Sequence, residues 1–308
     1  MPYAKIKKDI DQGQIVIIDG GTGTELEKRG VEMDPNAWCG RANLDGFDTL
    51  VDVHSDYISA GAQIITTNTY ASSRLMLSPS GLGDRTKEIN QRAFEACATA
   101  RDKVKRPDVA IAGSVSHAVP MIPGTSTSDR SQMPSETEMF EAFQEVATIH
   151  KESGCDLMML EMMFDPIRVR LATEAALSTG LPVWTGLSAK RGADGKVYAF
   201  TQDEDQDWEE LVKLAVSYDV EAAGIMHTPA NVTTEALPAL KKHFKGPLTA
   251  YPDSGYFKAP NWQFHDIIPP NELAEFAKLW AESGVQVFGG CCGLSPEHIQ
   301  ALSQEFKA

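Results

Sequence analysis

A histidine and two adjacent cysteines are the residues of this sequence best suited to bind a metal ion. Cys291 and Cys292 lie in VQVFGGCCGLSP (285–296), and His227 ends another apolar run, AAGIMH (222–227). Zinc binds cysteine sulfur at about 2.3 Å and histidine nitrogen at about 2.0 to 2.1 Å, and a catalytic zinc keeps a fourth position open. Glycines at 289, 290 and 293 favour the sharp turn that both thiols need to reach one ion. We therefore predict a Zn²⁺ site formed by His227, Cys291 and Cys292.

Roles without a metal stay open for the same three residues. Adjacent cysteines can be a pair of small buried residues or a strained vicinal disulfide, and a single histidine is often a core or surface residue. The chain has five cysteines, an odd number and too few for a disulfide framework in 308 residues. Reduced thiols in an intracellular protein are therefore expected, and a pair of them beside glycine indicates metal or redox chemistry.

The charge balance limits the class of partner. The net charge is -15 and the pI is about 4.9, which argues against nucleic acid or an anionic membrane as a binding partner. No segment resembles a signal peptide, and no apolar run approaches the roughly 20 residues that span a bilayer. We expect a soluble, cytoplasmic protein that acts on small molecules, and the sequence does not indicate its oligomeric state.

Short apolar runs alternate with longer amphipathic segments along the whole chain. The predicted strands are residues 14–19, 63–68, 109–114, 156–161, 182–188, 222–227, 247–252 and 285–290. Segments such as 47–62 and 136–154 have helical periodicity and end at or beside a glycine. Eight strands alternating with helices predict an α/β fold, a single-domain (β/α)8 TIM barrel over residues 1–308, with a doubly wound open sheet as the alternative. The irregular stretch 120–135 is interpreted as an active-site lid.

In such a barrel, the chemistry lies where the strands end. The strand ends carry the following polar residues: Asp19, Asn68, Tyr70, Glu161, His227, Tyr251, Asp253, Cys291 and Cys292. Asp19 and Glu161 would suit the ammonium group of an amino acid, although ion pairing or helix capping could also account for them. We expect these polar side chains to converge on one rim.

The segment DGGTGTEL (19–26) suggests a dinucleotide site, but Leu26 stands where the third glycine of that motif belongs. The backbone at Gly20 and Gly21 is instead expected to hold a substrate carboxylate near a helix start. Trp38 and Tyr70 lie just outside regular elements, where aromatic faces can hold a methylated cation. With Asn68, these residues complete the predicted substrate site.

Several motifs together resemble the homocysteine S-methyltransferase family from end to end of the chain. They are IDGGTGTELEKRG (18–30), TTNTYAS (66–72), LEMM (160–163), YPDSG (251–255) and GGCCG (289–293). The resemblance implies a (β/α)8 barrel that binds zinc through three cysteines. It also implies that homocysteine is taken as a zinc-bound thiolate, contacted by acids matching Asp19 and Glu161, and methylated from an onium or folate donor.

The chain departs from this family at the end of the sixth strand. Where the family has a cysteine ligand, this sequence has His227. A neutral imidazole in place of a thiolate makes the metal site less negative, and zinc catalysis with two cysteines and one histidine stays feasible. The acceptor thiol is then expected to be deprotonated at lower pH than in a site with three cysteines.

We predict a zinc-dependent S-methyltransferase that converts homocysteine to methionine. The chain length favours a small sulfonium donor such as S-methylmethionine. A betaine-type donor, a different acceptor, a zinc hydrolase and a zinc-binding relative without catalysis stay open as alternatives.

Overall fold

The computed structural model describes residues 2–116, 122, 124–125, 133–201 and 206–306. Most of the predicted lid, 120–135, therefore lies outside the described residues. The strands in chain order are β1 (Val16–Ile17), β2 (Ile64–Thr66), β3 (Ala110–Ser116), β4 (Leu157–Met163), β5 (Val183–Leu187), β6 (Ala189–Arg191), β7 (Val197–Ala199), β8 (Ala222–Pro229), β9 (Leu248–Asp253), β10 (Tyr256–Lys258), β11 (Asn261–Gln263) and β12 (Val285–Phe288).

Eight of these strands form one parallel sheet that closes on itself. The strand order is β1-β12-β9-β8-β5-β4-β3-β2, and every neighbouring pair is parallel. The ends of the sheet meet through a parallel bridge between Ile18 and Ile64, where Asp19 N–H donates to the Ile64 carbonyl at 3.1 Å. The predicted (β/α)8 barrel is confirmed, and the open-sheet alternative is wrong because the first and second strands pair.

Helices cover the outside of the barrel. They are α1 (Pro2–Asp11), α2 (Thr22–Lys28), α3 (Ala42–Asp45), α4 (Phe47–Ala60), α5 (Arg74–Leu77), α6 (Thr86–Lys103), α7 (Glu136–Ser153), α8 (Pro166–Leu177), α9 (Trp208–Ala215), α10 (Ala230–His243), α11 (Pro270–Glu282) and α12 (Pro296–Glu305). The predicted helices at 47–62 and 136–154 are present as α4 and α7. Both end at a glycine in the left-handed region, with φ of 118° at Gly61 and 102° at Gly154, as a C-terminal cap requires.

Two apolar layers fix the geometry of the barrel. The larger layer lies between the strands and the surrounding helices, and includes Leu50, Leu160 and Leu237. The smaller layer fills the barrel interior, where Val16, Ile64 and Trp184 are among the buried residues and α1 contributes Tyr3 and Ile6. The amphipathic α1 therefore closes the bottom of the barrel, which leaves the opposite end, where the strands run out, as the open end.

All eight predicted strands are present in the barrel, each within a few residues of its predicted bounds. Two antiparallel hairpins, β6–β7 and β10–β11, follow β5 and β9 and were not predicted, because strands of three residues leave little periodicity in a sequence. None of the described helices is both long enough and apolar enough to cross a membrane.

Candidate active site

The side chains of His227, Cys291 and Cys292 meet at the open end of the barrel. Cys291 Sγ lies 3.5 Å from His227 Nδ1 and 3.9 Å from Cys292 Sγ, and the three ligand atoms all lie within 4.8 Å of one another. Zinc bonds of the usual length at tetrahedral angles would separate sulfur from nitrogen by about 3.6 Å and sulfur from sulfur by about 3.8 Å. The three residues therefore fit one tetrahedral zinc ion, and all five cysteines of the chain are free thiols.

The charge state of these groups also suits a cation. The hydrogen bond that the Cys291 thiol donates to Cys292 Sγ, together with burial, raises the pKa of Cys291 well above its usual value. Burial lowers the pKa of His227, but Asp253, Cys291 and Glu161 outweigh it and raise this pKa to about 9. The groups around the imidazole thus create a negative electrostatic potential. Two thiols held this close cannot both ionise unless a cation offsets their charge.

Glycines shape the loop that carries both cysteines, but they do so in two ways. Gly293 has φ of 82°, and a Cβ on it would lie 2.0 Å from the Ser254 carbonyl oxygen. Gly289 is not in the left-handed region; a Cβ there would lie 2.2 Å from Cγ1 of Ile18. Only the glycine after the cysteines is needed for the turn itself, and Gly289 is needed for close packing against Ile18, the residue that follows β1.

His227 reaches the cysteines because the β8–β9 pairing is irregular at that point. The register shifts between Met226, which pairs with Tyr251, and Pro229, which pairs with Asp253. Within this shift His227 has φ of 43°, a conformation that few non-glycine residues adopt. Such outliers occur where the surrounding structure determines the backbone, often at functional sites.

Four neighbours hold the imidazole of His227. Its Nε2 lies 3.7 Å from Oδ2 of Asp253, while its Nδ1 faces Cys291. The rings of Phe200 and Trp262 each lie 5.7 Å from the imidazole in edge-to-face arrangements. The ring is therefore fixed with one nitrogen toward the thiols and the other toward a carboxylate, as is usual for zinc-binding histidines.

Asp19 is a buried carboxylate at the end of β1. Its Oδ2 accepts from the Thr66 N–H at 2.6 Å and its Oδ1 accepts from the Thr66 hydroxyl at 3.0 Å. Burial raises the pKa of Asp19 to about 8, with Glu161 adding to the rise and the Thr66 hydrogen bonds opposing it. This carboxyl group would be stabilised in its charged form by a cation brought beside it.

Glu161, on β4, has the same character. Burial raises its pKa to about 7, against the opposing effects of the Ser114 hydrogen bond and the nearby His227. The Ser114 hydroxyl donates to Oε2 of Glu161. Asp19 and Glu161 line the same cavity, and the charge of Glu161 contributes to the raised pKa of Asp19, so a single ammonium group could interact with both.

Gly20, Gly21 and Asn68, which were predicted to bind the substrate, all line the cavity. Some of their hydrogen-bonding groups are already engaged within the protein. The N–H of Gly21 donates to the Leu294 carbonyl at 3.1 Å and so is not free for a ligand. A Cβ on Gly21 would lie 2.6 Å from the Cys291 carbonyl oxygen, so this turn packs directly on the cysteine loop. Asn68 uses its Nδ2 to donate to the Cys39 carbonyl and to Oδ1 of Asn43, each at 2.9 Å.

Aromatic side chains form the outer wall of the cavity. The Trp38 ring lies 6.0 Å from Tyr70 and 5.6 Å from Phe257, with interplanar angles of 88° and 73°. Trp38 itself has φ of 43°, and its buried indole Nε1 has no hydrogen-bond partner in the described part of the chain. The Tyr70 hydroxyl lies 2.9 Å from Sδ of Met162. The predicted pair Trp38 and Tyr70 is therefore in contact, and Phe257 of the β10–β11 hairpin joins it.

These groups surround one cavity of about 640 Å³, a size typical of a small-molecule site. All ten residues predicted from sequence line it: Asp19, Gly20, Gly21, Trp38, Asn68, Tyr70, Glu161, His227, Cys291 and Cys292. The convergence of the strand ends on one rim is thus observed directly.

Sequence reasoning missed several residues of this cavity. Asp253 was recognised as a strand-end residue but given no role, and Thr66 and Ser114 were not singled out although they hold the two carboxylates. Arg168, in the first turn of α8, also lines the cavity. A polar residue within or just past a predicted strand was the available signal for the first three, whereas nothing in the sequence distinguishes Arg168.

Known proteins resemble this chain over nearly its whole length. The sequence profile described as "Homocysteine S-methyltransferase" matches residues 16–306. The chain is 25% identical to homocysteine S-methyltransferase YbgG of Bacillus subtilis, with 97% of this chain and 96% of that protein aligned. It is 26% identical to selenocysteine methyltransferase of Astragalus bisulcatus, covering 94% of this chain and 92% of that protein.

Two more relatives differ in coverage and in what they support. Betaine–homocysteine S-methyltransferase 1 of Danio rerio is 27% identical over 97% of this chain, but the alignment spans 74% of that protein. The crystal structure of the metallated homocysteine methyltransferase MmuM of Escherichia coli superposes with a TM-score of 0.76 at 22% identity, covering 99% of each chain. This superposition confirms the fold.

Proposed function

Because this chain belongs to the homocysteine S-methyltransferase family, as the profile match over residues 16–306 shows, we propose that it transfers a methyl group from a small onium donor to the thiol of homocysteine. The product is methionine. The observation that carries this proposal is the meeting, in one cavity, of a His-Cys-Cys trio with the buried carboxylate of Asp19 and the half-buried carboxylate of Glu161.

We assign the metal site to His227, Cys291 and Cys292. A zinc ion there supplies the positive charge that keeps the acceptor thiol deprotonated near neutral pH, where a free alkyl thiol with a pKa near 8.5 is mostly protonated. The protein's own contribution is to present one nitrogen and two sulfurs from β8 and the loop after β12 at tetrahedral spacing.

Asp19 and Glu161 are assigned to the ammonium group of homocysteine. Both carboxyl groups have pKa values raised by burial, and an ammonium group between them offsets the cost of ionising them. The Gly20–Gly21 turn is assigned to the substrate carboxylate. Because the Gly21 N–H already donates to the Leu294 carbonyl, the Gly20 N–H is the group assigned to bind it. Asn68 positions the Cys39 backbone beside Trp38.

Trp38 and Tyr70, with Phe257, are assigned to the donor. A sulfonium or quaternary ammonium group is attracted to aromatic faces, and the three rings form an apolar corner that also keeps water out. Methyl transfer forms one S–CH₃ bond and breaks the donor's bond to that methyl group. The electron pair of the broken bond stays on the sulfur or nitrogen of the leaving group. No proton has to be moved in that step, so the residues act mainly by positioning.

The test is direct. Zinc-loaded protein is incubated with homocysteine and, separately, with S-methylmethionine, glycine betaine or trimethylsulfonium carrying an isotopically labelled methyl group, and labelled methionine is measured. The proposal expects labelled methionine with at least one donor, and none when both cysteines are replaced by alanine. If stoichiometric zinc is bound but no donor yields methionine, the protein binds zinc without this activity.

A further inference from the structure

Arg168 is a buried cation on the wall of the cavity with no role in the site described so far. Arg168 lies in the first turn of α8, seven residues after Glu161, and is 7% exposed. A buried guanidinium keeps its charge because its usual pKa is above 12, so it cannot escape the cost of burial by losing a proton. Such a group is normally matched by a carboxylate.

The part of the chain that the structure describes does not supply this match. Asp165, the nearest acid in sequence, uses Oδ1 to accept from the backbone N–H of Arg168 at 3.0 Å and thereby caps α8. Nη2 of Arg168 points at Sδ of Met133 at 3.3 Å, and a thioether is a weak acceptor. Among the described residues, no carboxylate forms an ion pair with the guanidinium. Toward the described residues, the hydrogen-bonding capacity of this cavity-lining cation is thus largely unused.

The position of Arg168 relates it to the donor side of the cavity. Arg168 and Tyr70 line the same cavity. Burial lowers the pKa of Arg168, and the charges of Asp165 and Tyr70 oppose that shift. Tyr70 in turn packs on Trp38, the pair assigned to the onium group. Of the two residues assigned to the acceptor, Glu161 lies on β4 and Asp19 lies two residues after β1, whereas Arg168 lies on α8.

From this arrangement, and resting on the function proposed above, we infer that Arg168 binds the carboxylate of the methyl donor. The donor is then a zwitterion whose onium methyl group lies against the aromatic corner and whose carboxylate lies against Arg168. A guanidinium presents two parallel N–H groups that match the two oxygens of a carboxylate, so the contact fixes orientation as well as charge. Carboxylate-free onium ions lack this contact and are discriminated against.

The experiment compares donors that differ in the carboxylate. Isothermal titration calorimetry measures the binding of S-methylmethionine and glycine betaine, against trimethylsulfonium and tetramethylammonium, to zinc-loaded protein without homocysteine, so that no methyl transfer accompanies binding. The variants are Arg168→Met and Arg168→Lys, with Arg170→Met as the matched control. Arg170 lies on the same helix, is half-exposed and is paired with Glu136 at 2.6 Å. Circular dichroism confirms that each variant is folded.

We expect Arg168→Met to weaken binding of at least one carboxylate-bearing donor by about 10- to 100-fold, the usual effect of losing charge-assisted hydrogen bonds. Carboxylate-free cations should change by less than twofold, Arg168→Lys should lie between wild type and Arg168→Met, and Arg170→Met should match wild type. Equal losses for both classes of donor, or no binding of either carboxylate-bearing donor to wild type, would overturn the inference.

A loss confined to homocysteine affinity would also overturn it, since Arg168 would then bind the acceptor. The outcome for the proposed function is separate. If the carboxylate preference depends on Arg168 but no methionine forms, the methyltransferase proposal fails while the assignment of Arg168 as a carboxylate-binding residue stands.

Discussion

His227 and Asp253 face each other across the irregular pairing of β8 and β9, with Nε2 of the imidazole 3.7 Å from Oδ2 of the carboxylate. The second oxygen of Asp253, Oδ1, is buried and has no hydrogen-bond partner among the described residues. At 3.7 Å the carboxylate attracts the imidazole through its charge without forming a hydrogen bond to it. This charge favours the tautomer in which Nε2 carries the proton and Nδ1 is free to bind a metal.

Removing Asp253 should accordingly weaken metal binding. We expect Asp253→Ala to lower zinc affinity by about 10- to 100-fold, the usual effect of losing a carboxylate behind a histidine ligand. Asp253→Asn keeps an acceptor oxygen and should lose less. Competition with a fluorescent chelator measures both affinities. Unchanged affinity in Asp253→Ala would show that the carboxylate does not orient the ligand.

His227 itself should be indispensable for zinc, whereas a cysteine in its place should be tolerated. We expect His227→Ala to lose most of its zinc on dialysis and His227→Cys to retain one zinc per chain, because thiolate is also a good zinc ligand. The control is His265→Ala, which removes an exposed imidazole that stacks on Tyr256 outside the trio. Elemental analysis gives the counts, and full zinc in His227→Ala would leave the site with two cysteine ligands only.

Glu161→Gln tests the assignment of the acceptor's amino group. The amide keeps an oxygen that can accept from Ser114 but loses the charge, so the KM for homocysteine should rise by about 10- to 100-fold while zinc content stays at wild-type level. Steady-state kinetics measures the KM. If Glu161→Gln has the homocysteine KM of wild type, this carboxylate is not the ammonium-binding group.

Asp19 should make the substrate-free protein less stable as the pH rises. Its pKa in the folded protein is about 8 against a usual value of 3.8, so the folded state holds a proton that the unfolded state releases between these values. The stabilising effect is fully present below about pH 4 and is lost as the pH rises to about 8, at up to about 1.4 kcal/mol per pH unit.

Asp19→Asn removes this titration. Urea unfolding of substrate-free protein at pH 5 and pH 8 should show a smaller loss of stability in the variant than in wild type. A pH dependence identical to that of wild type would mean that Asp19 is already ionised in the folded protein without substrate.

The barrel and most of the site could be predicted from the sequence, and one physical reason explains both. Parallel strands buried on both faces are continuous apolar runs, so the ends of the runs locate the rim, and side chains such as Asp19 and Cys291 follow directly. The glycine pattern after β12 correctly indicated a turn, although Gly289 proved to serve packing.

The sequence did not predict which side chains contact one another across the rim of the barrel. The contact of His227 with Asp253 depends on the register shift between β8 and β9, and a shift of this kind leaves no mark in residue periodicity. In the sequence, Arg168 has no feature that distinguishes it from other charged residues near the start of a helix. Only its burial against the cavity distinguishes it from the half-exposed Arg170 two residues later.

The most direct test of the proposed zinc site is zinc K-edge X-ray absorption on the purified protein, recorded without and with homocysteine. A site formed by His227, Cys291 and Cys292 predicts two sulfur neighbours at about 2.3 Å and an imidazole nitrogen at about 2.0 Å. Homocysteine should raise the sulfur count to three. A spectrum with fewer than two sulfurs, with no imidazole, or with a sulfur count unchanged by homocysteine would contradict the proposed site and its role in binding the acceptor.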